Sequence, residues 1–307
     1  TRFMNVAQEA GEVLRRLGRS VNIRERLDFS CAVFDGQGRL VANAPHIPVH
    51  LGAMGETVRD LLRQNPDPPE GQAWLCNDPR AGGSHLPDLT VVSCLKHDGH
   101  RFFVASRAHH VDVGGLTPGS MPPHSTRLEE EGLVFRHLPL LDEGSFRDLS
   151  GLLVGCRDAL SVEADLQAQI AANVHAMAAL KALGTGALIE RWMQHLFEVS
   201  ANEVSRLIQG LPERSVSDDL DGHALMLTIR VEDARLLVDF RGSSGPHSGN
   251  LNAPPAVVRA AVLYGLRCLM GREFPLNDGA LEPVCILLPD SSILNPPVGA
   301  AVVGGNV

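Results

Sequence analysis

Asn77-Asp-Pro-Arg-Ala-Gly-Gly-Ser-His-Leu-Pro-Asp88 runs directly into Leu89-Thr-Val-Val-Ser-Cys-Leu95. After His97-Asp-Gly-His100 come Phe102-Phe-Val-Ala-Ser106 and Arg107-Ala-His-His-Val-Asp-Val-Gly-Gly115. The two apolar runs read as strands and the Asp-Gly step between them as a turn. The flanking Gly-Gly stretches read as tight loops, because glycine turns where side chains would clash. His85, Asp88, His109, His110 and Asp112 fall within 28 residues of this stretch.

Outward from it, residues 4–17 have helical spacing closed by Gly18. Residues 27–41 read as a hairpin turning at Asp35-Gly-Gln-Gly38. A short helix suits residues 54–62, the proline-rich run at 65–69 is a loop, and residues 73–76 make a strand. Residues 116–141 have little periodicity, and long irregular segments inside a domain are often functional. Leu160, Ala164, Ile170, Val174 and Met177 form one helical stripe. After Gly184-Thr-Gly186, Ile189, Trp192, Met193, Leu196, Val199 and Leu207 form another. Residues 225–231 and 235–240 predict a hairpin, and Pro254-Pro255 opens a helix through Met270. The class is α+β: a strand-rich part with loop-borne polar residues over 1–150, a helical section over 151–212, and a small α/β part over 213–307. The chain starts at Thr1 without methionine and stops soon after the apolar run 300–303, so a longer polypeptide is expected.

The 307 residues, 44% of them hydrophobic, are enough for a sizeable core. A net charge of -9 argues against nucleic acid as the main partner, since phosphate backbones call for a basic face. No apolar run reaches membrane-spanning length. Six scattered cysteines without a Cys-x-x-Cys pair predict free thiols and a cytoplasmic protein.

The imidazoles and carboxylates on the Gly-Gly loops are suited to a divalent metal, whose nitrogen and oxygen ligands they supply. A hydrogen-bonded structural network is the alternative. Manganese, zinc, iron and cobalt all suit such a set. His85 and Asp88 form a loop pair, because Pro87 between them prevents a helix. His109 and His110 face opposite ways on extended backbone, so one of them is expected at the ion. Asp112 would share the side of His110, as a ligand or as a carboxylate orienting an imidazole. Glu25 and Asp28 precede the first hairpin, where a solvated charged segment is the simpler reading. Either histidine of Pro45-His-Ile-Pro-Val-His50 suits a pocket wall or an ordinary loop; His97, His100, His124 and His137 are expected at the surface. The Gly-rich run at 242–250 offers backbone N–H groups to an anion, or is a plain connection. The sequence contains no phosphate-binding Gly-x-x-x-x-Gly-Lys-Ser/Thr loop, no Gly-x-Ser-x-Gly elbow and no His-Glu-x-x-His.

At these residues the chain resembles the hydantoinase B/oxoprolinase family. The resemblance rests on Asn22-Ile-Arg-Glu-Arg-Leu-Asp-Phe-Ser-Cys31, Ala44-Pro-His-Ile-Pro-Val-His-Leu-Gly52, the two Gly-Gly stretches, Thr117-Pro-Gly-Ser-Met-Pro-Pro123, Gln169-Ile-Ala-Ala-Asn173, Asn250-Leu-Asn-Ala-Pro-Pro255 and the end of the chain from Asn295. Arg80 stands where the family pattern has an aromatic residue. The resemblance implies a metal-dependent subunit that opens a cyclic amide such as a hydantoin or 5-oxoproline. It implies a hetero-oligomer with a hydantoinase A-type ATPase, which binds ATP and phosphorylates the substrate. By position it implies metal ligation by His85, Asp88 and His110, with Asp28 and Glu25 as further acidic contributors. His109 and Asp112 are then left to handle protons. An ATP-dependent ketone carboxylase is the alternative activity, and a non-catalytic scaffold for the ATPase the alternative role.

Overall fold

The computed structural model describes residues 2–44, 50, 52–271 and 276–306. In chain order its elements begin with α1 (Arg2–Leu17), α2 (Val21–Arg24), β1 (Phe29–Phe34), β2 (Leu40–Asn43), α3 (Ala53–Gln64), β3 (Ala73–Cys76), β4 (Asp88–His97) and β5 (His100–His109). Three two-residue strands follow: β6 (Leu138–Pro139), β7 (Leu141–Asp142) and β8 (Ser145–Phe146). Then come α4 (Ala159–Lys181), α5 (Gly186–Ile208), β9 (Arg214–Leu220), β10 (His223–Glu232), β11 (Arg235–Asp239), α6 (Pro255–Met270) and β12 (Val284–Leu287). Among the described residues no helix is long and apolar enough to cross a membrane.

The β4–β5 hairpin organises everything around it. Asp98 and Gly99 turn the chain in two residues, both at positive φ (50° and 78°), as the tightest hairpin turns require. From that turn the ladder runs without a bulge from His97 opposite His100 to Asp88 opposite His109. At about 3.4 Å per residue, the far end of the ladder lies roughly 30 Å from the turn. The hairpin sits in an antiparallel sheet ordered β2-β1-β5-β4-β3-β6.

Both faces of this sheet are covered, which is why its strands read as nearly continuous apolar runs. One face presents Leu95, Phe102, Val104 and Ala108 to α1, α4 and α5. The other presents Val92, Cys94, Phe103 and Ala105 to Met54, Val58 and Leu61 of α3. Each fully buried aromatic or leucine contributes about 1.5–3 kcal/mol. A one-residue slip would exchange the faces of every side chain on a strand, so the register is strongly specified. Two polar residues fasten α4 to the sheet: the Gln169 amide donates to the Leu89 and Ser106 carbonyls, and the Asn173 amide to that of Val91, each at 3.0 Å.

A second sheet, ordered β12-β11-β10-β9, packs Leu236 and Val238 against Val204 and Ile208 of α5 and Leu263 and Leu266 of α6. β12 runs parallel to β11, and the other pairs are antiparallel. β9 was not legible in sequence: Arg-Ser-Val-Ser-Asp-Asp-Leu is exposed throughout and has no buried face to impose alternation. All six cysteines are free thiols.

Candidate metal centre

The open end of the hairpin is where the alpha-three face of the sheet turns polar. Ser30, Thr90 and Arg107 are cross-strand neighbours there, one step inside the Asp88–His109 pair. Cross-strand partners point to the same side of a sheet, so Asp88 and His109 face each other. The loop before Asp88 brings in His85. Asn77 ties that loop down, its amide donating to the Leu86 and Leu133 carbonyls at 2.8 and 2.9 Å and its oxygen accepting from the Phe135 N–H. At Gly83 a side chain would collide with the Asn77 carbonyl, so only glycine lets the loop close this tightly.

Three histidines surround one carboxylate. His85 Nδ1 lies 3.2 Å from Asp88 Oδ2, and His109 Nδ1 lies 3.4 Å from Oδ1. His50 Nε2 is 3.2 Å from Oδ2, and its Nδ1 meets the Ser30 hydroxyl at 2.9 Å. The Ser84 hydroxyl donates to Asp88 Oδ2. One ligand atom each from His85, Asp88 and His109 lies within 4.8 Å of the others. An ion about 2.1 Å from each ligand holds neighbours about 3–3.5 Å apart, a spacing the two imidazole–carboxylate contacts already have. His85 Nδ1 and Asp88 Oδ1 are buried without a hydrogen-bond partner among the described residues. Buried polar atoms without partners are rare, and a bound cation would satisfy both. The donor set fits a divalent metal.

The electrostatics fit as well. Burial works against charge on Asp88, but His85 and His50 override it and hold its carboxyl well below the usual range. Burial also opposes the charge on His85, yet Asp88 pulls that imidazole above its ordinary value. Arg107 is wholly buried behind the pair. Its guanidinium donates to Thr90 Oγ1 and the Gly82 carbonyl, each at 2.7 Å, bracing the loop that carries His85. Burial lowers its pKa, and the charge of Asp88 opposes that.

His109, rather than His110, is brought to His85 and Asp88. His110 follows the last ladder pair, and its ring goes to the opposite face, where Nε2 lies 2.9 Å from the Gln169 oxygen. It is fully buried, and burial lowers its pKa, which favours a neutral ring. The signal was present in the sequence: counting pairs outward from the two-residue Asp98-Gly99 turn sets Asp88 opposite His109.

Asp112 is not brought to the cluster either. Its carboxylate is saturated by the N–H groups of Gly114, Gly119 and Arg157 and by the Arg157 guanidinium, at 2.9–3.0 Å. Burial opposes its charge, but these donors lower its pKa. It ties the second Gly-Gly loop to the start of the helical section. Asp28 is half-buried and near enough to act on His85 electrostatically, and its carbonyl accepts from the His109 N–H. Glu25 is exposed. His46 lies outside the described residues.

Four residues of this region were not singled out from sequence: Ser84, Arg107, His50 as a partner of Asp88, and Glu131. Glu131, from the irregular segment, is fully buried and close enough to feel the charge of His85. It accepts from the Ser125 hydroxyl at 2.8 Å and from the Val302 and Val303 N–H groups at 3.0 Å, tying the end of the described chain to the site. Burial nonetheless raises its pKa. His137, expected at the surface, is buried and lies 2.7 Å from Asp60. In the Gly-rich run the N–H groups of Ser244, His247 and Gly249 are spent on Ala224, Asn252 and His247.

Comparison with known proteins agrees with this architecture. A family model described as Hydantoinase B/oxoprolinase matches residues 1–307. The chain is 41% identical to 5-oxoprolinase 1 of Arabidopsis thaliana, over all of this chain and 27% of that protein. Two solved structures share the fold. ATP-dependent caprolactamase from Pseudomonas jessenii has a TM-score of 0.89 at 22% identity, over 99% of this chain and 55% of that one. Acetone carboxylase in its nucleotide-free form has a TM-score of 0.86 at 16% identity, over 99% of this chain and 44% of that one. The chain therefore belongs to the hydantoinase B/oxoprolinase family.

Proposed function

We propose that this chain forms the metal-binding part of an ATP-dependent cyclic amidohydrolase that opens a 5-oxoproline or hydantoin ring, acting with a hydantoinase A-type ATPase. The observation that carries the reading is the buried His85–Asp88–His109 cluster, whose His85 Nδ1 and Asp88 Oδ1 atoms have no hydrogen-bond partner among the described residues. The similarity to 5-oxoprolinase 1 supplies the class of substrate.

A cyclic amide resists water because resonance stabilises it and nitrogen leaves poorly. Phosphorylation of the amide oxygen by the partner would remove that resonance. Water then adds to the ring carbon, the C–N bond breaks as nitrogen takes a proton, and a second water cleaves the resulting acyl phosphate. A divalent metal at the cluster would supply Lewis acidity and lower the pKa of water. The remaining roles belong to the chain. Ser84 and His50 fix the orientation of Asp88. His109, the most accessible of the three, has 17% of its side chain exposed. Arg107 and Asn77 hold the loop rigid.

The test is an ATP-turnover screen of the reconstituted full-length system with 5-oxoproline, hydantoins, and acetone plus bicarbonate, together with metal analysis. Ring opening coupled to ATP hydrolysis, and its loss in His85→Ala together with the metal, is expected. Turnover only with acetone and bicarbonate would make the enzyme a carboxylase. Full activity without stoichiometric metal would refute the metal role.

A further inference from the structure

A cleft of about 330 Å³ lies between the Pro79–Ala81 turn, the N-terminus of α6 and the 295–302 segment. That volume is at the small end of the range for sites that bind small molecules, about 300–1,000 Å³. Gly82 in its wall is three residues from His85, so the two lie at most about 11 Å apart along the chain. Val302, another wall residue, is held by Glu131.

The charges in this cleft are unequally paired. Glu56 is its acid and lies 2.8 Å from Arg59. Arg63 pairs with Asp60 at 3.0 Å, and Arg259 donates to Asp278 at 2.8 Å. Arg259 is ion-paired, but one of its N–H groups and the whole Arg80 side chain lack a hydrogen-bond acceptor among the described residues. The Nε of Arg259 is buried without a hydrogen-bond partner among the described residues, Glu56 being 3.7 Å away. Arg80 lines the cleft, is exposed, and its guanidinium has no acceptor among the described residues. The N-terminus of α6, capped by Pro254 without a side-chain hydrogen bond, faces the same space and adds the positive end of a helix dipole.

We propose that this cleft is a binding site for a small oxyanion, a carboxylate or phosphate group, held by Arg80 and Arg259. A planar guanidinium offers two parallel N–H donors to such a group, and both arginines have donors to spare. The site does not depend on the ring-opening reading, because it rests on the cleft and its unpaired donors alone.

The experiment is calorimetric titration of the full-length protein without ATP. The probes are inorganic phosphate, 5-oxoproline, and 2-pyrrolidinone, the same ring without a carboxylate. Titration in a His85→Ala background keeps an ion at the metal cluster from contributing to phosphate binding. Phosphate or 5-oxoproline is expected to bind and 2-pyrrolidinone not to. Competition between the two anions shows whether carboxylate and phosphate share the site. Arg80→Gln should weaken anion binding by about tenfold or more, the loss of a charge-assisted hydrogen bond, and Arg80→Lys should recover part of it. Asn295→Asp, which puts a negative charge in the same wall, should weaken it independently. If neither anion binds, or if a folded Arg80→Gln protein binds them as the parent does, the cleft is not an oxyanion site.

Discussion

Replacing each of the two adjacent histidines by alanine separates their roles. His110 is fully buried and gives the Gln169 oxygen its hydrogen bond at 2.9 Å. Its removal strands a buried acceptor, at about 1–3 kcal/mol, and leaves a cavity in the alpha-four face of the sheet. A total of about 2–4 kcal/mol is reasonable and lowers the melting temperature by roughly 4–15 °C. The metal should remain. His109 keeps 17% of its side chain exposed, and its ion-pair contact is Asp88 at 3.4 Å. His109→Ala should therefore cost under about 1 kcal/mol of stability. It should weaken metal binding by about a hundredfold or more, since even partners of ligands are worth 10–100-fold. Metal content after dialysis against a graded chelator, set beside thermal unfolding of the metal-free proteins, reads both effects. Loss of metal from His110→Ala with retention by His109→Ala would refute the assignment.

Asp278 offers a pH test away from the metal. Burial alone would raise its pKa, but Arg259 and Arg59 override burial and depress it. A depressed carboxyl stabilises the fold fully above its unfolded value near 4, and that stabilisation is lost as pH falls through the folded value. Asp278→Asn should thus cost about 3–5 kcal/mol at pH 7, with the gap from the parent narrowing below about pH 4 in urea unfolding. Glu131→Ala strands the Val302 and Val303 N–H groups. A loss of about 2–4 kcal/mol is expected, with faster amide exchange at those two positions; unchanged exchange there would count against the link. Among the thiols, Cys268 is exposed, whereas burial raises Cys31 to about 12 and Cys94 to about 11. A thiol reagent should modify Cys268 first and reach Cys31 and Cys94 only on unfolding, which mass mapping would show.

The parts legible in sequence were those with a buried face. The β4–β5 hairpin, the Ile189 and Met193 spacing on α5 and the proline-led α6 follow from spacing that burial imposes. The stripe read on α4, by contrast, misses its packed face: Leu160 and Val174 are exposed, and Val162, Leu166, Ala172 and Ala176 are buried instead. β9 was invisible because no face of it is covered. In the site, the motif stretches pointed to His85 and Asp88, and the structure sets them side by side. Glu131 was hidden because its partners come from the 302–303 segment, far away in sequence. The role of Arg107 was hidden because a cation in a strand looks solvent-facing until both sides of the sheet are known to be covered. His110 shows the limit of positional matching, since the two neighbouring histidines differ only in which side of the strand they occupy.

That difference amounts to a question of parity, settled at the far end of the hairpin. With two residues in the Asp98-Gly99 turn, the odd-numbered histidine reaches the carboxylate. If the turn keeps two residues, one residue more or fewer beyond it shifts the ladder by one and hands that place to its even-numbered neighbour or to Ala108. A length change remote from the chemistry is thus expected to be more damaging than many substitutions beside it, whereas changes of two residues, which preserve the count, should be tolerated.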